Sequence, residues 1–427
     1  AMGASDRLVY NASCAAPPPP PFHLTVARYE QLGPDIDGQA LKDGSGASVA
    51  LSADGTVLAV GATWAGGSGT GNYDGSGNVR VYAWNGTHWD PRGGDLDEPG
   101  SAGDASGTNV AMSADGTVVA VGAYYGTNGR VNVYDWSGGL WVSRGTSFVG
   151  AHNDRAEIVA LSADGIVLAI GAWYNNGGFG YVRVHDWDGT GWSERTPRLN
   201  GGANMEYFGY SVALSADGSV VAVGAPYQAP GGYVRVRVWN GAQWDPRGGD
   251  ILGEAAGDMS GWSVALSADG TVVAIGAIAN AGGGTRSGHV RVHAWDGAQW
   301  NPRGNDLDGP EPDHYTGYDV ALSADGRVLA AGTYADDGGG ADAGHVRMLV
   351  WDDTQWNQAG PDLDGEAAGD HSGKHVALSA DGTVVASGSE NNDGGGVGGT
   401  GFLNGGHVRA YVAVMHSPPP ALPPSPA

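Results

Sequence analysis

The apolar and polar positions of this chain follow one pattern that returns seven times. It is clearest around residues 262–307. WSVALS (Trp262 to Ser267) alternates between apolar and polar residues, as a half-buried strand does. After the turn ADG, TVVAIGA (Thr271 to Ala277) is an almost unbroken apolar run, which predicts a strand covered on both faces. A Gly-rich loop leads into HVRVHAW (His289 to Trp295), which alternates again. DGAQ then turns the chain into WNPRGNDL (Trp300 to Leu307), a fourth strand. Four antiparallel strands in about fifty residues predict one blade of a β-propeller.

The turn between the first two strands marks the repeat. Ser-Ala-Asp-Gly begins at Ser52, Ser113, Ser162, Ser215, Ser267, Ser323 and Ser379, spaced 61, 49, 53, 52, 56 and 56 residues apart. Such a period is the mark of a repeat architecture. The third and fourth strands meet in a Trp-x4-Trp hairpin, from Trp84/Trp89 to Trp351/Trp356, which holds twelve of the fifteen tryptophans. Asn-Gly or Asp-Gly in four of these turns is a hairpin signal, and cross-strand tryptophan pairs are read as structural. Only six hairpins serve seven repeats. The missing strand is found at the other end of the chain, where YEQLGPDIDG (Tyr29 to Gly38) aligns with WNQAGPDLDG (Trp356 to Gly365). The expectation is an all-β, seven-bladed propeller of four antiparallel strands per blade. Its ring closes when the N-terminal strand supplies the outer strand of the last blade. The propeller spans residues 25–415, between Pro-rich tails at 1–24 and 416–427.

Composition narrows the partners. A formal net charge of −25 argues against nucleic acid and against anionic membranes. No apolar run approaches the roughly 20 residues that span a bilayer. The single cysteine, Cys14, precludes an internal disulfide. The opening Ala1-Met2-Gly3 reads as a cloning scar, with a signal peptide expected to have preceded it. Glycosylation sequons stand at Asn11 and Asn85. Proline tracts such as APPPPPF favour extended polyproline, suited to a stalk or linker in a longer protein.

Blade four reads Phe208-Gly209 and, fifteen residues on, Gly224-Ala225-Pro226. This resembles the FG-GAP repeat, the unit of integrin α-subunit propellers, and the resemblance covers roughly residues 25–415. It implies a seven-bladed extracellular propeller that binds proteins or glycans. Many blades of that family carry a calcium loop, DxDxDGxxD, between the first two strands. This chain has Ser-Ala-Asp-Gly there, and one aspartate is too few for Ca²⁺, which takes six to eight oxygens. Asp54, Asp115, Asp164, Asp217, Asp269, Asp325 and Asp381 are therefore read as turn residues.

Blade topology puts the first and third turns on one face, and the second loops and inter-blade links on the other. The second loops vary while the turns do not, so binding is expected on the loop-rich face. Trp64, Tyr124, Tyr125, Trp173, Tyr174, Tyr227 and Tyr334 follow the second strands there and are the candidate ligand contacts, because flat rings with polar edges suit sugar faces or peptide side chains. The acidic links supply a candidate Ca²⁺ set, Asp362, Asp364, Glu366 and Asp370, and a parallel one in Asp35, Asp37 and Asp43. Ca²⁺ is the one cofactor considered. The recurring histidines His289, His345 and His407 and the third-strand arginines hold repeat positions and are read as structural. No catalytic residue is assigned. The reading is a secreted or surface-displayed monomeric propeller that binds a glycan or an extracellular protein, not an enzyme. Its alternatives are a polysaccharide lyase or hydrolase using His314, Tyr315 or His371, and a structural unit of an extracellular coat.

Overall fold

The structure, a computed structural model, describes residues 26–40, 42–65, 75–96, 104–124, 128–392 and 405–415. These residues form seven antiparallel sheets of four main strands each, in chain order from the axis outwards in six of them. Blade 4 shows the pattern: Ser211–Leu214, Val220–Ala225, Tyr233–Trp239 and Trp244–Pro246. A two-residue link strand, here Ile251–Leu252, adds to the start of the third strand. The one helix among the described residues is the single turn Asn175–Gly178. No helix is long and apolar enough to cross a membrane.

Every residue of all seven second strands is buried, as their unbroken apolar runs predict. The core is divided into seven clusters, one between each pair of neighbouring blades. Between blades 3 and 4, for example, Val182 and Val184 pack with Val221, Val223 and Phe208. Neighbouring blades bury each other, so no blade is a stable unit alone.

The ring closes as expected. Val26–Gln31 pairs with His407–Met415, with Tyr29 opposite Ala413 and Gln31 opposite Tyr411. Ile36–Asp37 then pairs with Val408 and His407. Tyr29 is buried, and its hydroxyl donates to the Gly382 carbonyl at 2.7 Å.

Each atom of the Ser-Ala-Asp-Gly turn has a task. In blade 4 the Ser215 hydroxyl donates to Asp217 Oδ1 at 2.7 Å and accepts from the Val220 amide at 2.9 Å. Asp217 Oδ1 also accepts from the Ser219 amide. Burial alone would raise the pKa of Asp217, but these hydrogen bonds outweigh it and hold the carboxyl below its ordinary range. Gly218 has φ +64°, and a side chain there would strike Val167 of blade 3. The alanine joins blade to blade. The Ala53 amide donates to the Ala114 carbonyl, Ala114 to Ala163, Ala163 to Ala216, Ala216 to Ala268, Ala268 to Ala324, Ala324 to Ala380, and Ala380 back to Ala53, all at 2.7–2.8 Å. Seven bonds through seven successive blades must encircle the axis.

Outside, the tryptophan hairpins wedge the blades together. Trp141, Trp192, Trp300 and Trp356 each donate their indole N–H to an arginine carbonyl of the preceding blade, at 2.7–3.0 Å. The guanidinium of that arginine lies over the ring of the paired tryptophan, as Arg92 does over Trp136 at 4.9 Å. Near the loop-rich face, the glycine before each second-strand end (Gly61, Gly122, Gly171, Gly224, Gly276, Gly332, Gly388) abuts a first-strand carbonyl of the next blade. Six of those carbonyls belong to glycines: Gly107, Gly209, Gly261, Gly317, Gly373 and Gly46. The seventh is that of Glu157. The two glycine columns thus mark where backbone meets backbone between blades.

Candidate functional site at the channel mouth

The first strands line a central channel. At the loop-rich end it opens into a pocket of 300 Å³, walled by strand residues of blades 2 to 7 and by Trp173. Much of its polar wall holds the blades together. The hydroxyls of Ser211 and Ser263 donate to the Gly261 and Gly317 carbonyls of the next blade at 2.8 Å. Asn109 and Asp319 sit in the same column and accept the next blade's Val159 and Val376 amides at 2.9 Å. Burial raises the pKa of Asp319 and lowers that of His375 beside it.

Around this pocket runs an arc of aromatic rings. Trp173 meets Tyr207 and Tyr210 at 5.4 and 5.7 Å between centroids. Tyr207 packs edge-on against Tyr227 at 4.8 Å, and Tyr210 meets Trp262 at 4.8 Å. Trp262 continues to Tyr318 at 5.5 Å, and Tyr318 stacks on Tyr334 at 4.8 Å. The arc ends where His371 lies flat on Tyr334, at 4.1 Å and 2° between planes. Its other end is Arg155, whose guanidinium lies 4.3 Å from Tyr124 and 4.7 Å from Trp173. Lys374 pairs with Glu390 and lies near Tyr334.

The sequence columns explain the arc. One column, next to the first-strand glycine, reads Ala47, Thr108, Ile158, Tyr210, Trp262, Tyr318 and Lys374. A second, two residues before that glycine, reads Gly44, Ala105, Arg155, Tyr207, Met259, Tyr315 and His371. All seven residues of the second column have φ between +47° and +62°. Six are not glycine, although this left-handed region costs such residues on the order of 1 kcal/mol each. Arg155, Tyr207, Tyr315 and His371 thus reach the arc from strained backbone.

Glu157 breaks the glycine column and sits buried beside Trp173. Its Oε1 accepts from the Trp173 indole at 3.1 Å, and Oε2 has no hydrogen-bond partner. Burial pushes its pKa up to about 7, against that hydrogen bond and the Arg155 charge.

Of the aromatic candidates, Tyr124, Trp173, Tyr174, Tyr227 and Tyr334 belong to the arc. Tyr174 and Tyr227 remain 39% and 42% exposed, so they present free ring surface. Trp64, 59% exposed, rests beside Gly44, where blade 1 has no aromatic to continue the arc. Tyr125 and Asn11 lie outside the described residues. Tyr207, Tyr210, Trp262 and Tyr318 were not among the candidates. Their signal was the column itself, which varies between neighbours that scarcely change.

The acidic candidates do not converge on one point. Asp362 is held by the Arg347 guanidinium at 2.9–3.0 Å. Asp370 is buried and accepts the Glu366 and Ala367 amides and the Asn392 side chain. Glu366 faces Arg409, while Asp364 lies near Asp336 and His345. Alternation along a link aims successive carboxylates at different neighbours, which is why the set disperses. In the parallel link, Asp43 caps the amides of Gln39 and Ala40. Asn85 lies in an exposed hairpin turn, where its side chain accepts the Thr87 and His88 amides and donates to Asp90. Asn240 fills the same place in blade 4. His314 lies 3.0 Å from Asp336, whereas Tyr315 and His371 gather round Tyr334.

No protein-family model matches the chain, and no curated protein matches it. Solved structures do. The β-propeller domain of Cps50 (Swd1) from Myceliophteria thermophila is 12% identical at a TM-score of 0.55, over 86% of this chain and 96% of that one. Hydrazine synthase from Kuenenia stuttgartiensis is 13% identical at 0.54, over 82% and 94%. The WD40 repeats of RRP9 are 12% identical at 0.54, over 91% and 100%. At these identities the likeness is one of fold alone, and this chain's own sheets make it a seven-bladed β-propeller.

Proposed function

We propose that this chain is a binding propeller of the FG-GAP kind, secreted or displayed on a surface, that recognises a carbohydrate at its channel mouth. The observation that carries this reading is the arc from Trp173 to Tyr334. Its rings pack edge-on or stacked around a pocket of 300 Å³. Aromatic faces bind the apolar faces of sugar rings, and the hydroxyls and charges at their edges satisfy the sugar's polar rim. Four of the pocket's polar side chains are already engaged in joining blades, which favours binding over catalysis. The FG-GAP kinship draws support from the two glycine columns, which keep neighbouring blades in backbone contact all round the ring.

A glycan array followed by calorimetry tests the reading. The Trp262→Ala and Tyr227→Ala variants are expected to weaken binding to the best glycan by tenfold or more, about 1.4 kcal/mol each. Trp64→Ala, removed from the arc, should leave it within twofold. Equal affinity in all three variants would sink the aromatic site. Release of reducing or unsaturated sugar from the bound glycan would instead establish an enzyme.

A further inference from the structure

The first residue of the third strand forms a column that reads Asn78, Arg130, Tyr181, Tyr233, His289, His345 and His407. In blades 3 and 4 the tyrosine reaches a link carboxylate directly. Tyr181 donates to Asp154 Oδ2 at 2.5 Å, and Tyr233 donates to Glu206. In blade 1 Asn78 donates to Asp95 at 3.0 Å. The imidazoles of blades 5 to 7 are shorter, and the carboxylates around them remain. His289 and His407 are 1% and 0% exposed, yet neither nitrogen of either ring has a hydrogen-bond partner. His345, equally buried, pairs with Asp336 at 3.0 Å and lies 3.8 Å from Asp362.

A buried imidazole with both nitrogens unpaired is costly, and it occurs at one position in blades 5 and 7, while His345 at the same position of blade 6 has the Asp336 carboxylate 3.0 Å away. Each ring forms a trio with two of the carboxylates around it: Glu254 and Asp306 for His289, Asp336 and Asp364 for His345, and Asp35 and Asp37 for His407. In each trio the ligand atoms lie within 4.8 Å of one another. A metal bound at about 2.1 Å sets its ligand atoms roughly 3–4 Å apart, so small side-chain rotations would bring all three onto one ion and leave a position for solvent. We propose that blades 5, 6 and 7 each hold a divalent transition-metal ion on these trios. One nitrogen with two carboxylates suits Zn²⁺, Mn²⁺ or Fe²⁺ better than Ca²⁺ or Mg²⁺. These trios are separate from the aromatic arc and do not depend on its reading.

The test uses the chelator-stripped full chain, titrated with Co²⁺ and with Zn²⁺. Three ions per chain are expected, with visible Co²⁺ bands of nitrogen–oxygen coordination. His289→Gln, His345→Gln and His407→Gln should each remove one ion, and the triple variant should remove all three. X-ray absorption of the Zn²⁺-loaded unmodified chain should show one imidazole per ion, a readout that needs no variant to fold. An oxygen-only shell would mean adventitious binding by surface carboxylates and would overturn the proposal. Unchanged stoichiometry in the triple variant, or no ion retained, would overturn it too.

Discussion

Removing residues up to Gly38 is expected to abolish cooperative folding of the remaining chain. The deletion takes away Val26–Gln31 and Ile36–Asp37, so His407–Met415 loses both of its outer partners. It also takes Tyr29 from the core between blades 6 and 7, and Ile36 and Leu32 from the core between blades 7 and 1. Three large side chains at about 1.5–3 kcal/mol each remove on the order of 5 kcal/mol or more. That rivals the entire stability of an ordinary domain. The exposed strand edge would then pair with other copies. Calorimetry and size-exclusion chromatography check this, with a broad or absent transition and aggregates expected. Moving residues 26–38 behind residue 415 through a flexible linker should restore a single sharp transition. A truncated chain that melts like the parent would show that the ring does not need its closing strand.

Gly276→Ala should be strongly damaging, because its methyl group faces a blade seam. The new carbon would lie under 3.0 Å from the Gly317 carbonyl oxygen and from Ser263 Oγ, which are themselves hydrogen-bonded. Backbone cannot step aside as a side chain can, so blades 5 and 6 must part. Overpacking of this kind costs roughly 1–3 kcal/mol, and the lost hydrogen bond about 1 more. For a domain this size 3 kcal/mol corresponds to a melting point lower by about 4 °C. Gly249→Ala is the control, since nothing lies within 4 Å of its new methyl group. It should stay within about 0.5 kcal/mol of the parent. Equal effects at the two sites would mean that the backbone contact between blades is not tight.

The blade count and the closure were legible because each rests on local chemistry repeated in register. The turn sets Ser215, Ala216, Asp217 and Gly218 in fixed roles, so the letters recur. Tyr29 could be matched to Trp356 because both stand opposite the end of a third strand. The site was only half legible. Trp173 and Tyr227 stood out because they follow an obvious strand end. Trp262 and Tyr318 lie within a first strand and Tyr210 just before one, and only the geometry of the channel shows that they gather at its mouth. Tyr207 and His371 were harder still, since their direction is set by a left-handed backbone at links of unequal length. The acidic links misled for a related reason. Spacing gives carboxylates on a loop but not their partners, and Arg347 claims Asp362 from a strand fifteen residues away.

The alanine ring at the opposite end has an electrostatic consequence. An α-helix leaves N–H groups unpaired at one end and carbonyls at the other, and those ends carry a macrodipole. A circle of seven bonds has no ends. Every donor in it meets an acceptor, and bonds turned in one rotational sense cancel across the near-sevenfold axis. These seven bonds therefore contribute no lateral field at that mouth. Charge at that end comes instead from side chains, the carboxylates of Asp54, Asp115, Asp164, Asp217, Asp269, Asp325 and Asp381 and the arginines beside them, such as Arg92, Arg247 and Arg303.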